Sequence, residues 1–345
     1  MGKKIVICLD GTGNELKGKG NTNVVELYDL LDLSDPATQV AYYDPGVGTF
    51  SAPGAWLPPA RFASRVAGLA FGYGLRDNLA EAYTYLMRTY EPGDQVYVFG
   101  FSRGAYTARA LTGLVYTIGI FRPGAENLVQ YAVPSYVRKK SDWKQLEQFR
   151  WVFAQRDADG ETRVPIEYLG LWDTVKATGI LRWDAKWPYT RHLINVKKVR
   201  HAVSIDEYRR PYATYPALPH EKSDPRPSIY EVWFAGVHSD VGGTFEDDPK
   251  LCKITLKWMA QGARANGVLM KNGPFHQLCR EVRSANATGT VHRMGRAWAL
   301  AGYRKRVVPP RALVHDSVRE RVSAGIGYPS VIPPDVEWAD DGWST

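Results

Sequence analysis

Six short apolar runs recur along this chain, and the stretches between them have a helical rather than a strand period. The runs are Ile5 to Leu9, Val40 to Tyr43, Gln95 to Phe99, Ile166 to Leu171, Val199 to Ile205 and Tyr230 to Ala235. Between the second and third, Leu75, Leu79, Ala82 and Leu86 repeat at three- and four-residue steps up to Tyr90, where Pro92-Gly93 stops the helix. Further helices are predicted from Arg103 through Leu114 and from Pro249 to about Ala265. Strands apolar on both faces, alternating with helices, predict an α/β fold whose mostly parallel central sheet is covered on both sides. Such a sheet binds ligands beyond the carboxyl ends of its strands.

Length and composition narrow the class. The chain has 345 residues, 44 Lys and Arg against 36 Asp and Glu, a net charge of +8 and three cysteines. It is long enough to bury a core without disulfide or metal staples, and too apolar for disorder. Cys8, Cys252 and Cys279 are far apart and show no C-x-x-C spacing, which points to a reducing compartment and no structural zinc. No signal peptide, bilayer-length apolar span or myristoylation pattern is visible, so the expected location is cytoplasmic unless a secretion system delivers the protein. The positive charge is spread over short knots, Arg138-Lys139-Lys140, Lys197-Lys198 with Arg200, and Arg304-Lys305-Arg306. These read as solvated faces or weak attraction to an acidic lipid surface; no nucleic-acid-binding motif accompanies them.

No repeat or low-complexity linker divides the sequence, so residues 1–345 are expected to form one catalytic unit with insertions. The segments 45–72, 121–160 and 176–192 break the alternation, the last with Trp183, Trp187 and Tyr189. Each reads either as a lid or acyl-binding wall over a site or as ordinary connection with its aromatics in the core.

The sharpest chemical signal is Val96-Tyr97-Val98-Phe99-Gly100-Phe101-Ser102-Arg103-Gly104-Ala105, a G-x-S-x-G that follows a predicted strand and opens a predicted helix. In that context it is a nucleophile elbow. The turn is too tight for a Cβ at either flanking glycine, and it presents the Ser102 hydroxyl above a helix N-terminus. The Arg103 N–H then faces a developing oxyanion. A second donor is expected from the glycine-bearing loop Asp10-Gly11-Thr12-Gly13-Asn14, at Gly11 or Thr12. Asp10 either fixes that loop or ends the strand. The rival reading, a phosphate-cradling loop, lacks the P-loop lysine.

A serine nucleophile needs a base and an acid, which in this fold follow in the order Ser, acid, His. His238 follows the strand Tyr230 to Ala235, in a loop at a strand's carboxyl end where the base belongs; His315 is the runner-up. Asp173 ends the strand Glu167 to Trp172 and is the expected acid, with Asp206 and Asp240 as alternatives whose plain role is capping or turn formation.

With these residues in view the chain resembles the bacterial family of α/β-hydrolase-like proteins typified by the catalytic domain of type VI secretion phospholipase effectors (Tle1-like). The resemblance rests on Leu9-Asp10-Gly11-Thr12, Gly100-Phe101-Ser102-Arg103-Gly104-Ala105-Tyr106 with Arg109, Trp172-Asp173-Thr174-Val175, Ser204-Ile205-Asp206-Glu207 with Arg209, and Gly236-Val237-His238-Ser239-Asp240-Val241-Gly242-Gly243. It implies an α/β-hydrolase-like fold, a Ser102, Asp173 and His238 triad, and an ester substrate, a phospholipid being the family's. It also implies an immunity protein as partner where the protein is an effector; transient contact with a membrane surface is an expectation from the basic knots. No metal or organic cofactor is expected. Two other functions remain consistent with the residues: hydrolysis of a small soluble ester or thioester, and a non-catalytic membrane- or protein-binding module on a hydrolase scaffold.

Overall fold

The computed structural model describes residues 2–11, 18–46, 73–138, 142–176, 187–223, 225–295, 298–299 and 302–344. In chain order its elements begin with β1 (Lys4–Leu9), α1 (Asn23–Leu30), β2 (Gln39–Asp44), α2 (Tyr73–Thr89), β3 (Gln95–Phe101) and α3 (Arg103–Ile118). There follow α4 (Val129–Val137), α5 (Trp143–Phe153), β4 (Ile166–Trp172), β5 (His192–Leu193), β6 (Val196–Ser204), β7 (Leu218–Pro219) and β8 (Ser228–Phe234). The last are α6 (His238–Gly242), α7 (Lys250–Ala265), α8 (Asn272–Glu281), β9 (Leu313–His315), α9 (Asp316–Ser323) and β10 (Glu337–Ala339).

Eight strands form one sheet in the order β10-β9-β8-β6-β4-β3-β1-β2, and every pairing in it is parallel. The six apolar runs are all strands of this sheet, and the three predicted helices are α2, α3 and α7. Alternation along each strand divides the core in two. Ile5, Ile7, Leu9, Val96, Val98, Leu169 and Leu171 face α2 and α3, while Val6, Cys8, Tyr97, Phe99, Tyr168 and Trp172 face the layer of α1 and α7. The fold is α/β-hydrolase-like, with helices on both faces of the sheet. The chain reverses winding direction between β1 and β3, and β3 is the strand that leads into Ser102.

The segment 121–160 is not a free-standing lid. Its helices α4 and α5 bury Val129, Ala132, Val133, Tyr136 and Leu146 in the same core as α2 and α3. Most of 45–72, and Trp183 within 176–192, lie outside the described residues. No helix among the described residues is long and apolar enough to cross a membrane.

Candidate active site

Close approach of two backbones shapes the turn after β3. A Cβ built on Gly104 would lie 2.1 Å from the Leu9 carbonyl oxygen and 2.5 Å from that of Asp10, because the first turn of α3 lies against the end of β1. One on Gly100 would lie 2.6 Å from the Gly104 carbonyl oxygen. Between these glycines Ser102 adopts φ 60° and ψ −121°, a conformation that costs a non-glycine residue about 1–3 kcal/mol. Two backbone hydrogen bonds hold it there. The Ser102 N–H donates to the Trp172 carbonyl (3.1 Å), and the Val175 N–H donates to the Ser102 carbonyl (3.4 Å).

The same pairing brings Asp173 to the site. It leaves β4 at φ 38°, with its N–H on the Ala202 carbonyl (2.7 Å). The turn rests on a buried scaffold below it. The Thr174 N–H donates to His201 Nε2 (3.1 Å), so His201 Nδ1 bears the proton and faces Glu231 Oε2 (2.8 Å). Arg109 donates to the Thr174 hydroxyl (3.0 Å) and to the Pro216 carbonyl (3.0 Å).

His238 is the first residue of the five-residue helix α6, rather than part of an open loop. The local reason is Asp240, whose carboxylate accepts the Val237 N–H (2.9 Å) while the Val237 carbonyl accepts the Asp240 N–H (2.9 Å), closing the turn directly after β8. The imidazole bridges the other two residues. Its Nδ1 is 2.6 Å from Asp173 Oδ2 and its Nε2 is 2.8 Å from Ser102 Oγ. A carboxylate only accepts, so Nδ1 donates to Asp173 and Nε2 is left to accept the serine proton. Ser102, Asp173 and His238 are all buried.

The surroundings set the charge of this trio. Burial alone would raise the Asp173 carboxyl, but the Arg306 guanidinium and the His238 hydrogen bond overcome it and hold the carboxyl well below the usual carboxylate range. Arg306 contacts both oxygens, Nη1 to Oδ1 at 2.5 Å and Nη2 to Oδ2 at 3.1 Å. Burial pushes the His238 imidazole below its ordinary value against the pull of Asp173, and Arg209 adds to the lowering. Arg209 is itself paired with Glu207 (2.7 Å), whose other role is to accept the His238 backbone N–H (3.2 Å).

The remaining expected residues separate into those at the trio and those that shape it. Arg103 opens α3, where a first-turn N–H has no intrahelical partner. The Gly11 N–H donates to Asp10 Oδ1 at 2.6 Å, and Thr12 lies outside the described residues. Asp10 also accepts from Thr22 (2.5 Å) and Tyr43 (3.0 Å), so it ties the end of β1 to its neighbours. Asp206 accepts from Gly236 N–H (2.6 Å) and the Tyr328 hydroxyl (2.8 Å) and does not touch His238. Asp240 pairs with His292 Nδ1 (2.5 Å). His315 is fully buried away from the trio, stacked on Phe234 with centroids 4.5 Å apart and capping α9.

Sequence reasoning missed Arg306 altogether. It belongs to a basic knot read as solvated, yet its side chain is 4% exposed. Arg200 departs from that reading too, its guanidinium lying over the Trp258 ring at 4.6 Å.

Lys176, Trp187, Tyr189, Arg191, Tyr215 and Arg226 border a cavity of about 810 Å³ that none of Ser102, Asp173 and His238 lines. Its links toward the nucleophile turn are indirect. Lys176 follows Val175, and the Trp187 N–H donates to the hydroxyl of Tyr106 (3.2 Å), one helical turn after Ser102.

The family described as T6SS, phospholipase effector Tle1-like, catalytic domain matches residues 3–262. The chain belongs to that family. A curated relative of this Tle1-like chain, the uncharacterized protein YEL023C of Saccharomyces cerevisiae, is 35% identical over 221 residues, covering 60% of this chain and 32% of that protein. Among solved structures, an uncharacterized protein from Pseudomonas aeruginosa is 18% identical with a TM-score of 0.45, covering 87% of this chain and 52% of that one. The Tle1 effector bound to the VgrG spike of the type 6 secretion system is 20% identical with a TM-score of 0.34, covering 71% and 51%. The Tle1-like chain thus spans about a third of the yeast relative and about half of each of these solved chains.

Proposed function

We propose that this Tle1-like chain is a serine-dependent carboxylic ester hydrolase whose substrate is the acyl ester of a phospholipid. The observation that carries the reading is the position of His238, within hydrogen-bond reach of both Ser102 Oγ (2.8 Å) and Asp173 Oδ2 (2.6 Å). In this mechanism Ser102 Oγ attacks the acyl carbon as its proton passes to His238 Nε2, and Asp173 stabilises the resulting imidazolium. The oxyanion is held by the Arg103 N–H, with a second N–H expected from the loop that follows β1. The tetrahedral intermediate collapses as His238 returns the proton to the leaving alkoxide. Water then attacks the acyl-enzyme by the same route, releasing the fatty acid and regenerating the Ser102 hydroxyl.

The phospholipid part of the proposal is supported by the family to which the chain belongs and by the mixed lining of the 810 Å³ cavity, aromatic at Trp187 and Tyr215 and cationic at Arg191 and Arg226. A bilayer substrate entails contact with a membrane surface.

A fluorophosphonate probe tests the nucleophile: labelling is expected in the parent and absent in Ser102→Ala, whose kcat should fall by on the order of 10⁶. Labelling that survives in Ser102→Ala overturns the assignment. Release of fatty acid from phospholipid vesicles tests the substrate. Cleavage of short soluble esters with none from vesicles would instead make the protein a small-ester hydrolase.

A further inference from the structure

Arg306 follows Asp173 by 133 residues and lies beyond the family-matched residues 3–262, yet it makes the most extensive contact with the Asp173 carboxylate. That carboxylate is saturated. His238 Nδ1 takes one position on Oδ2, the Ser204 N–H (2.9 Å) takes one on Oδ1, and the two Arg306 contacts fill the rest. Arg306 is held in turn by the Ser204 carbonyl (3.0 Å), the Ser204 hydroxyl (2.7 Å) and the Tyr212 carbonyl (2.6 Å from Nη2, 3.1 Å from Nε). It is therefore a fixed charge, bidentate on the acid and shielded from water.

A fixed cation at that place has a consequence beyond anchoring. Asp173 attracts a proton to His238 in proportion to its uncompensated negative charge, and Arg306 cancels part of that charge. Of the other charged groups near the imidazole, Arg209 acts in the same direction but is ion-paired with Glu207, which opposes it; Tyr212 presents its ring at 4.8 Å, and Phe101 and Ser102 carry no charge. Given the hydrolytic role of His238 proposed above, on which this inference rests, we propose that Arg306 is a positioning residue that fixes Asp173 and lowers the proton affinity of the His238–Asp173 pair. The base then stays unprotonated further into the acid range, and a segment outside the family-matched residues completes the catalytic centre.

The test reads the imidazole directly, by nitrogen-detected NMR titration of His238 in Ser102→Ala protein with and without a second substitution at Arg306. In Arg306→Met the His238 midpoint should rise by on the order of one pH unit, as expected when an opposing charge beside an ionised partner is removed. In Arg306→Lys, which keeps the charge but cannot span both oxygens, it should stay near that of the parent. In the Ser102 protein the acid limb of kcat/KM should move with these midpoints, and kcat should fall in both variants. Should the methionine variant fail to fold, Arg306→Gln retains an N–H donor without the charge and must show the same rise. An unchanged midpoint in a folded neutral variant, or an equal rise in Arg306→Lys, would reduce Arg306 to a purely structural contact. Ester cleavage surviving in Ser102→Ala would defeat the hydrolase reading while leaving the titration result to stand by itself.

Discussion

The Phe101 ring lies stacked on the His238 imidazole, centroids 4.6 Å apart and planes 29° from parallel. Tyr212 meets the same imidazole edge-on at 4.8 Å and 70°. Two aromatic walls strip water from the base, and this burial is the main reason its imidazole is lowered. Hydrolysis needs the neutral imidazole, so activity is lost as pH falls through the His238 midpoint. The acid limb of kcat/KM, which reports the free enzyme, should therefore centre below the ordinary value of about 6.5. Phe101→Ala admits water and should move the limb up toward that value. A parent limb at or above it would contradict the buried, depressed base.

The elbow glycines make a different prediction. The methyl of Gly104→Ala would meet the Leu9 carbonyl oxygen at 2.1 Å, and both partners are backbone, so no rotamer change relieves the clash. Helix α3 must move off β1 by enough to displace Ser102. Unfolding in urea should show a loss of about 3 kcal/mol, at the upper end of overpacking costs, together with loss of hydrolysis. Gly18→Ala, where an added Cβ meets nothing within 4 Å, is the control and should unfold like the parent.

These residues also show how far the sequence could be read and where it stopped. The sheet was legible because each strand is a contiguous apolar run, and the elbow because strand, glycine spacing and helix lie within ten residues. Asp173 was legible because it stands directly after such a strand, and His238 because it follows one within four residues. Arg306 was not, because its role comes from a long-range fold-back onto Asp173, and nothing in Arg304-Lys305-Arg306 distinguishes the buried member from its neighbours. His201 was hidden for a related reason. It lies mid-strand and acts through the backbone of Thr174, which belongs to another strand's end. Gly11 shows another limit: its spacing suggested an N–H open to a ligand, and spacing alone does not reveal that the adjacent Asp10 carboxylate accepts it in this structure.

Buried His315 couples folding to pH. Its imidazole is held down to about 3, first by burial and then by Arg200, so the folded protein keeps it neutral while the unfolded chain protonates it below about 6.5. The unfolded state then binds more protons, and stability rises with pH across that interval. One such group contributes up to about 1.4 kcal/mol per pH unit. His315→Asn can still cap α9 but does not titrate. Urea unfolding between about pH 5 and 6.5, above the range in which carboxylates protonate, should show a shallower pH slope in the variant than in the parent. Equal slopes would mean that His315 is protonated in the folded protein.

Among the described residues, the cavity that Trp187 and Tyr215 line is bordered by Lys176, Arg191 and Arg226 against one acid, Glu221. Its net positive charge favours a substrate whose non-reacting part is anionic, and the aromatic faces of Trp187 and Tyr215 leave room for an apolar chain on the same ligand. Arg191 and Arg226 are solvent-facing, so each contact is screened and worth about 0.5–1 kcal/mol at most. Replacing both by Glu turns attraction into repulsion without touching the trio. The ratio of kcat/KM for an anionic phospholipid to that for a zwitterionic one of equal chain length should then fall by roughly fivefold or more, since 1.4 kcal/mol corresponds to a factor of ten. The difference should shrink as salt is added, because the interaction acts at the surface. A double variant that lowers both substrates equally would assign these arginines to membrane attraction or folding instead of to recognition of the substrate in the cavity.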